Sequence, residues 1–114
     1  MLVRVDAHSS VPLYRQIAQQ VRGSIARGEV APGQRLPVAR DLAISLDVNL
    51  QTVLRAYAEL RDDGLVEVRR RRGVTVLATP DQAGLVDGVR RLVESARRLG
   101  MSDGDIHQLV EANL

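Results

Sequence analysis

The chain has 114 residues, 45% of them hydrophobic, no cysteine and a formal net charge of +2. That length holds one domain and a small appendage. Disulfide and thiolate chemistry is excluded, and no apolar run reaches the ~18 residues of a membrane span. All sixteen basic residues are arginine, which supplies planar, bidentate donors suited to phosphate and guanine. Their distribution is uneven: residues 1–78 hold twelve arginines against eight acids, whereas residues 79–114 hold four against six. A basic front and an acidic tail meet near Thr79-Pro80. The opening residues carry no signal-peptide pattern, so a cytoplasmic protein is expected.

Residues 1–10 read as an extended N-terminal segment. Pro12 suits the first turn of a helix, where its missing N–H costs nothing. Leu13, Ile17, Val21 and Ile25 follow every four residues, with Ala18 beside them, so one helical face is apolar. Gly28 is placed to end that helix. The loop EVAPGQRLP contains a Pro32-Gly33 turn and is expected to bury Leu36 in a short strand or bridge. A second helix is predicted over Val38–Leu46, burying Leu42, Ala43 and Leu46, with Asp47-Val48 as the turn.

Asn49 is a good N-cap for a third helix. Val53, Ala56, Tyr57 and Leu60 form its core face at i, i+3, i+4 and i+7, which leaves Leu50, Gln51, Leu54, Arg55 and Ala58 on or near the outer face. Gly64 ends it. Leu65–Val68 and Val74–Leu77 read as half-buried strands joined through Arg69–Gly73. After Pro80, Leu85, Val89, Leu92, Ala96 and Leu99 are spaced as a heptad seam, and Val86 and Val93 widen it. Gly100 closes this helix. Ser102 caps another, with Asp105 at N3 and Met101 and Ile106 placed as a hydrophobic staple. Ile106, Leu109 and Val110 make its apolar face.

A three-helix bundle without a nucleic-acid role would share this apolar spacing but would scatter charge evenly over its outer faces. Here the third helix opens with Asn49-Leu50-Gln51-Thr52, whose amides and hydroxyl can reach base edges and phosphates, and Arg55 lies a turn further on. Four adjacent arginines, Arg69–Arg72, repel one another on a short hairpin and are eased by phosphates. Gly73 permits a positive φ at its end. A helix-turn-helix followed by a basic hairpin is a DNA-reading device.

Pro12-Leu13-Tyr14, Gln16-Ile17, Gly28, Pro32-Gly33, Arg35-Leu36-Pro37, Arg40, Leu42-Ala43, Val48, Thr52-Val53, Ala56, Leu60, Gly64-Leu65 and Arg72-Gly73 follow one pattern without a gap. Over about residues 11–77 the chain resembles the GntR family of bacterial transcription regulators. The resemblance implies a winged helix-turn-helix that binds operator DNA as a homodimer, with contacts from Arg35, Arg40, Thr52 and the wing tip at Arg72-Gly73. The chain departs from the family at Val38-Ala39, where Ser-Glu is frequent, and at Leu50 and Leu54, where many members carry arginine. Leucine cannot donate to guanine, so Asn49, Gln51 and Arg55 are the expected substitutes, and Leu50 or Leu54 can meet a thymine methyl. Only 36 residues follow Ala78, and Gly100–Ile106 is similar to the inter-helix turn of the short YtrA-type subfamily, whose tail helices serve dimerisation.

The expected fold is therefore mainly α with a small β-hairpin: an N-terminal extension over 1–10, a winged helix-turn-helix over 11–78 and a two-helix dimerisation tail over 79–114. DNA contacts are expected from Arg35, Arg40, Asn49, Leu50, Gln51, Thr52, Arg55, Arg70, Arg71, Arg72 and Gly73. The dimer seam is expected from Leu85, Val86, Val89, Leu92, Val93, Ala96, Leu99, Ile106, Leu109 and Val110, unless it folds back on the first helix of its own chain. The expected partners are double-stranded operator DNA and a second copy of the chain. The alternative is a winged-helix interaction or architectural module without operator preference. No cofactor, metal or catalytic residue is expected: His8 and His107 lie apart, Asp103, Asp105 and His107 give no compelling ligand set, and no Gly-rich phosphate loop occurs. An effector, if one binds, has the crevice between tail and winged domain or the dimer interface.

Overall fold

The computed structural model describes residues 1–70 and 72–114. Among these, five helices and a three-stranded antiparallel sheet follow in the order α1 (Leu13–Ala26), β1 (Arg35–Leu36), α2 (Ala39–Leu46), α3 (Leu50–Asp62), β2 (Val66–Arg69), β3 (Gly73–Val76), α4 (Pro80–Arg98) and α5 (Asp103–Ala112). The sheet runs β1-β3-β2. This is the winged helix-turn-helix fold that the resemblance implies.

The core forms where the periodicities place it. Ile17, Ala18, Val21 and Ile25 of α1 are fully enclosed, as are Val53, Ala56 and Leu60 of α3. Leu42 and Ala43 join them from α2, while Leu46 is only half-buried. Leu36, Val66, Val74 and Val76 bring the sheet onto the same core. Leu36 pairs with Val74 and Arg35 with Thr75, so the bridge expected at Leu36 is the third strand. Gly33 N–H donates to the Val76 carbonyl at 2.8 Å and Val76 N–H to the Gln34 carbonyl at 2.9 Å. These bonds continue the pairing past β1.

Both hairpin strands sit one residue away from the sequence expectation. The ladder pairs Val66 with Val76 and Arg69 with Gly73. Leu65 therefore precedes β2: its carbonyl accepts from Leu77 N–H at 2.9 Å and Ala78 N–H at 3.2 Å. Leu77 lies past the last rung and is half exposed.

The N-terminal segment has no regular structure over residues 1–6, turns over residues 7–11, and is tethered to α1. Gln20 Oε1 accepts from Arg4 N–H at 2.7 Å, and Gln20 Nε2 donates back to the Arg4 carbonyl. One turn earlier, Gln16 does the same for Asp6, with bonds of 2.8 and 2.9 Å. Two glutamines at i and i+4 on α1 thus hold the segment through its backbone, and Val3 is buried.

The tail divides into two parts. α4 begins with a capping box in which Thr79 and Gln82 satisfy each other's backbone N–H groups. It packs along α1, enclosing Ala83 completely and half-burying Val86 against the winged-domain core. α5 begins with the expected box between Ser102 and Asp105, yet it buries none of its residues. No described helix is long and apolar enough to cross a membrane.

Candidate nucleic-acid interface

The turn into α3 is fixed by Asp47, the one described non-glycine residue with a positive φ, at 53°. Aspartate tolerates this left-handed conformation better than most side chains. Val48 N–H then bonds the Ala43 carbonyl at 3.0 Å, and Asn49 caps α3 by accepting from Gln51 N–H at 2.8 Å. Capping engages the amide oxygen of Asn49 and leaves its NH2 group as a donor for a partner outside the chain. Leu50, expected on or near the outer face, is half-buried against the core. Its apolar side chain gains more from the neighbouring core than from water. Ala58 is likewise half-buried. The exposed edge of α3 consists of Gln51, Leu54 and Arg55, with Thr52 half-exposed beside them.

Arg35 on β1, Arg40 in the first turn of α2, and Arg70 and Arg72 at the wing tip are all exposed. Because Arg35 pairs with Thr75 of β3, it belongs to the same sheet as the wing. The tip closes with Arg72 N–H on the Arg69 carbonyl at 3.1 Å, and Gly73 adopts φ +79°, which explains a glycine there. Arg71 lies outside the described residues. α2 starts at Val38 with no side-chain cap, as Val38-Ala39 implied.

A division among the arginines stands out. Arg22, Arg27, Arg61, Arg69, Arg90, Arg91 and Arg97 each pair with a carboxylate. Among the described residues, Arg4, Arg15, Arg35, Arg40, Arg55, Arg70, Arg72 and Arg98 pair with none. Five of these eight, Arg35, Arg40, Arg55, Arg70 and Arg72, lie on β1, α2, α3 and the wing, where their charge is open to phosphate or base edges.

Behind α3 lies a group that the spacing did not single out. Arg22 is 1% exposed and bonds Glu59 Oε2 at 3.0 Å, with Asp63 at 3.6 Å. Arg90 of α4 holds both oxygens of Asp63, at 2.9 and 3.0 Å, and reaches Glu59 at 3.3 Å. Burial, followed by the charge of Arg90, pulls the Arg22 guanidinium below its ordinary value. The Asp63 hydrogen bond holds Arg90 above its own. The network ties the far end of α3 to α1 and α4. Helical spacing offered the signal: Arg22 lies four residues after Ala18 and three before Ile25, on the buried face.

The dimer-seam residues separate in space. Leu85, Val89, Leu92 and Leu99 are exposed, Leu85 by 72% and Leu99 by 81%, and so are Leu109 and Val110. Val93 and Ile106 are half-buried. Two residues of the expected seam are already covered in a single chain: Val86 is partly buried against the core and Ala96 is 3% exposed. In part, then, α4 does fold back on its own chain. Val86, Val89 and Val93 of α4 also wall an open cleft of about 560 Å³ whose floor holds Arg22, Glu59 and Asp63. This is the crevice between tail and winged domain. Among the described residues no carboxylate or imidazole cluster could hold a metal.

Residues 13–76 match the family model "Bacterial regulatory proteins, gntR family". The chain belongs to the GntR family. It is a transcription regulator built on a winged helix-turn-helix. The HTH-type transcriptional regulator Rv1152 of Mycobacterium tuberculosis is 38% identical over 104 residues, covering 90% of this chain and 86% of that protein. The HTH-type transcriptional repressor YtrA of Bacillus subtilis is 31% identical over 118 residues, covering 96% and 90%. Among solved structures, YtrA from Sulfolobus acidocaldarius, a GntR-family transcription factor, superposes with a TM-score of 0.63 at 36% identity. It covers 82% of this chain and 99% of that one. The alignment with YtrA of B. subtilis, over 96% of this chain, extends beyond the winged helix into the tail.

Proposed function

We propose that this GntR-family chain binds a pseudo-palindromic operator as a homodimer and represses transcription there. The observation that carries this reading is that five exposed arginines without carboxylate partners, Arg35, Arg40, Arg55, Arg70 and Arg72, lie on β1, α2, α3 and the wing. In this reading α3 enters the major groove. Gln51 and Thr52 reach base edges or adjacent phosphates, the NH2 of Asn49 assists, and Leu54 meets a thymine methyl. Leu50 supports α3 from within. Arg35 and Arg40 hold the backbone beside the groove, and Arg70–Arg72, with Gly73 allowing close approach, follow the backbone and minor groove. Residues 11–78 form the reading unit. Residues 79–114 join two copies through the exposed residues of α4 and α5. Repression is supported by the likeness to B. subtilis YtrA, which is named a repressor.

A mobility-shift titration with footprinting tests this, using DNA upstream of the protein's own gene and excess random competitor at about 150 mM salt. A discrete complex with two protected half-sites, a helical turn or a multiple of it apart, is expected. Arg40→Ala should weaken operator binding tenfold or more, an order set by the ~1–3 kcal/mol of one good contact, while its folding and mass in solution match the parent. A preference for the operator of less than about tenfold over random DNA would overturn the reading in favour of an architectural or interaction module.

A further inference from the structure

Arg55 has a neighbour outside the helix-turn-helix. Its guanidinium carbon lies 3.8 Å from the centroid of the Tyr14 ring, at the start of α1. The adjacent Arg15 approaches the same ring at 5.7 Å, and its Nη2 donates to the Tyr14 hydroxyl at 3.2 Å. Both distances fall within the ~6 Å over which a cation is drawn to an aromatic face. Both arginines are exposed, and among the described residues neither has a carboxylate partner. One half-buried ring thus gathers two uncompensated positive charges from two helices.

We infer that Tyr14, Arg15 and Arg55 form a phosphate clamp, in which Tyr14 is the positioning residue and the two guanidiniums take one backbone phosphate of the bound DNA. The inference rests on DNA binding by the winged domain. Two like charges around one ring repel, and stacking alone offsets only part of that repulsion. An anion bridging them removes it and accepts several N–H groups. The occupant is a phosphodiester because Arg55 lies one helical turn from Gln51 on the same side of α3. The clamp therefore borders the edge that faces the groove. Stacking also limits the rotamers of a long side chain, so Arg55 loses less freedom when it binds. The clamp adds α1 to an interface otherwise made by α2, α3 and the wing.

The test measures affinity for operator and for random DNA across a salt series with full-length Arg15→Gln, Arg55→Gln, Tyr14→Leu and Tyr14→Phe proteins. Each arginine variant should lower the slope of log affinity against log salt on both DNAs, by at most about one because the two guanidiniums share a single phosphate. Tyr14→Leu should weaken binding several-fold with a shallower slope, and Tyr14→Phe, which keeps the aromatic face, should restore most of it. A purely structural role for Tyr14 would not move the slope. Unchanged slopes in both arginine variants overturn the clamp, and Tyr14→Leu binding equal to the parent overturns the positioning role. Should Tyr14→Leu fail to fold, the arginine variants decide alone, because both side chains are exposed. Loss of operator preference in the parent would count against the function proposed above, whereas the slope on random DNA still decides the clamp.

Discussion

Arg22 is the residue with most at stake. Its side chain is enclosed, its Nε has no partner among the described residues, and its charge is answered by Glu59 and, more distantly, Asp63. Removing one partner of a buried pair strands the other charge, at a cost of about 3 kcal/mol or more. Glu59→Ala should therefore lower the urea midpoint of unfolding markedly. Glu59→Gln, which keeps a hydrogen-bond acceptor but not the charge, should cost less. A Glu59→Ala midpoint equal to the parent's would show that Asp63 suffices. Tyr57 makes a second buried polar contact, its hydroxyl donating to the Pro37 carbonyl at 2.6 Å. Burial pushes that phenol well above its ordinary value. Helical spacing revealed that Tyr57 faces inward, but spacing cannot name a partner twenty residues away. The same limit hid the Arg22 network and the Tyr14–Arg55 stack, because both join side chains from helices whose mutual placement is decided only by tertiary packing.

Among the elements, α5 shows how far local signals reach. Its capping box is written in Ser102 and Asp105 and forms as expected, whereas no side chain on the helix is buried in a single chain. Its ends therefore carry much of what holds it. The Ser102 backbone N–H, then its hydroxyl, keep the Asp105 carboxyl below its ordinary value of 3.8. The hydrogen bond and charge of Arg97 do the same for Asp103. A carboxylate depressed on folding stabilises fully above its unfolded value, and that contribution disappears as pH falls through the lower folded value. α5 should accordingly keep its helical amide shifts down to about pH 4 and fray below it. Ser102→Ala should make the helix fray already at neutral pH. Helical shifts that persist unchanged to pH 2 would argue that something other than the caps holds α5. The wing gives the opposite lesson. Alternation in Leu65–Val68 and Val74–Leu77 identified both strands but not their rungs, because register is set by the turn, and the Arg69–Gly73 pair moved each strand by one residue.

At the scale of the whole molecule, the seam read along α4 merged two jobs. A helix with apolar residues on adjoining faces shows one broad stripe in sequence, and spacing alone cannot say where one neighbour ends and another begins. Packing on α1 takes Ala83 and Val86, and Ala96 is also covered. Leu85, Val89, Leu92 and Leu99 are left facing outward beside Leu109 and Val110 of α5. A contiguous patch of this kind on two helices favours association, and a two-fold partner presents the same patch in return. Leu85 and Val89 are the informative pair because they are 72% and 52% exposed. Aspartate at both should leave the single chain folded and put four charges into a symmetric interface. The parent should sediment at twice its 12.5 kDa chain mass, and the Leu85→Asp/Val89→Asp protein at once that mass, with its helical content retained. Operator affinity should then fall by about 10² or more, because two linked half-site contacts become independent ones, while binding to a single half-site changes little. A parent that sediments as a monomer at about 100 µM, well above the concentrations at which specific regulators act, would remove the dimer from the proposal. So would a double variant that still pairs.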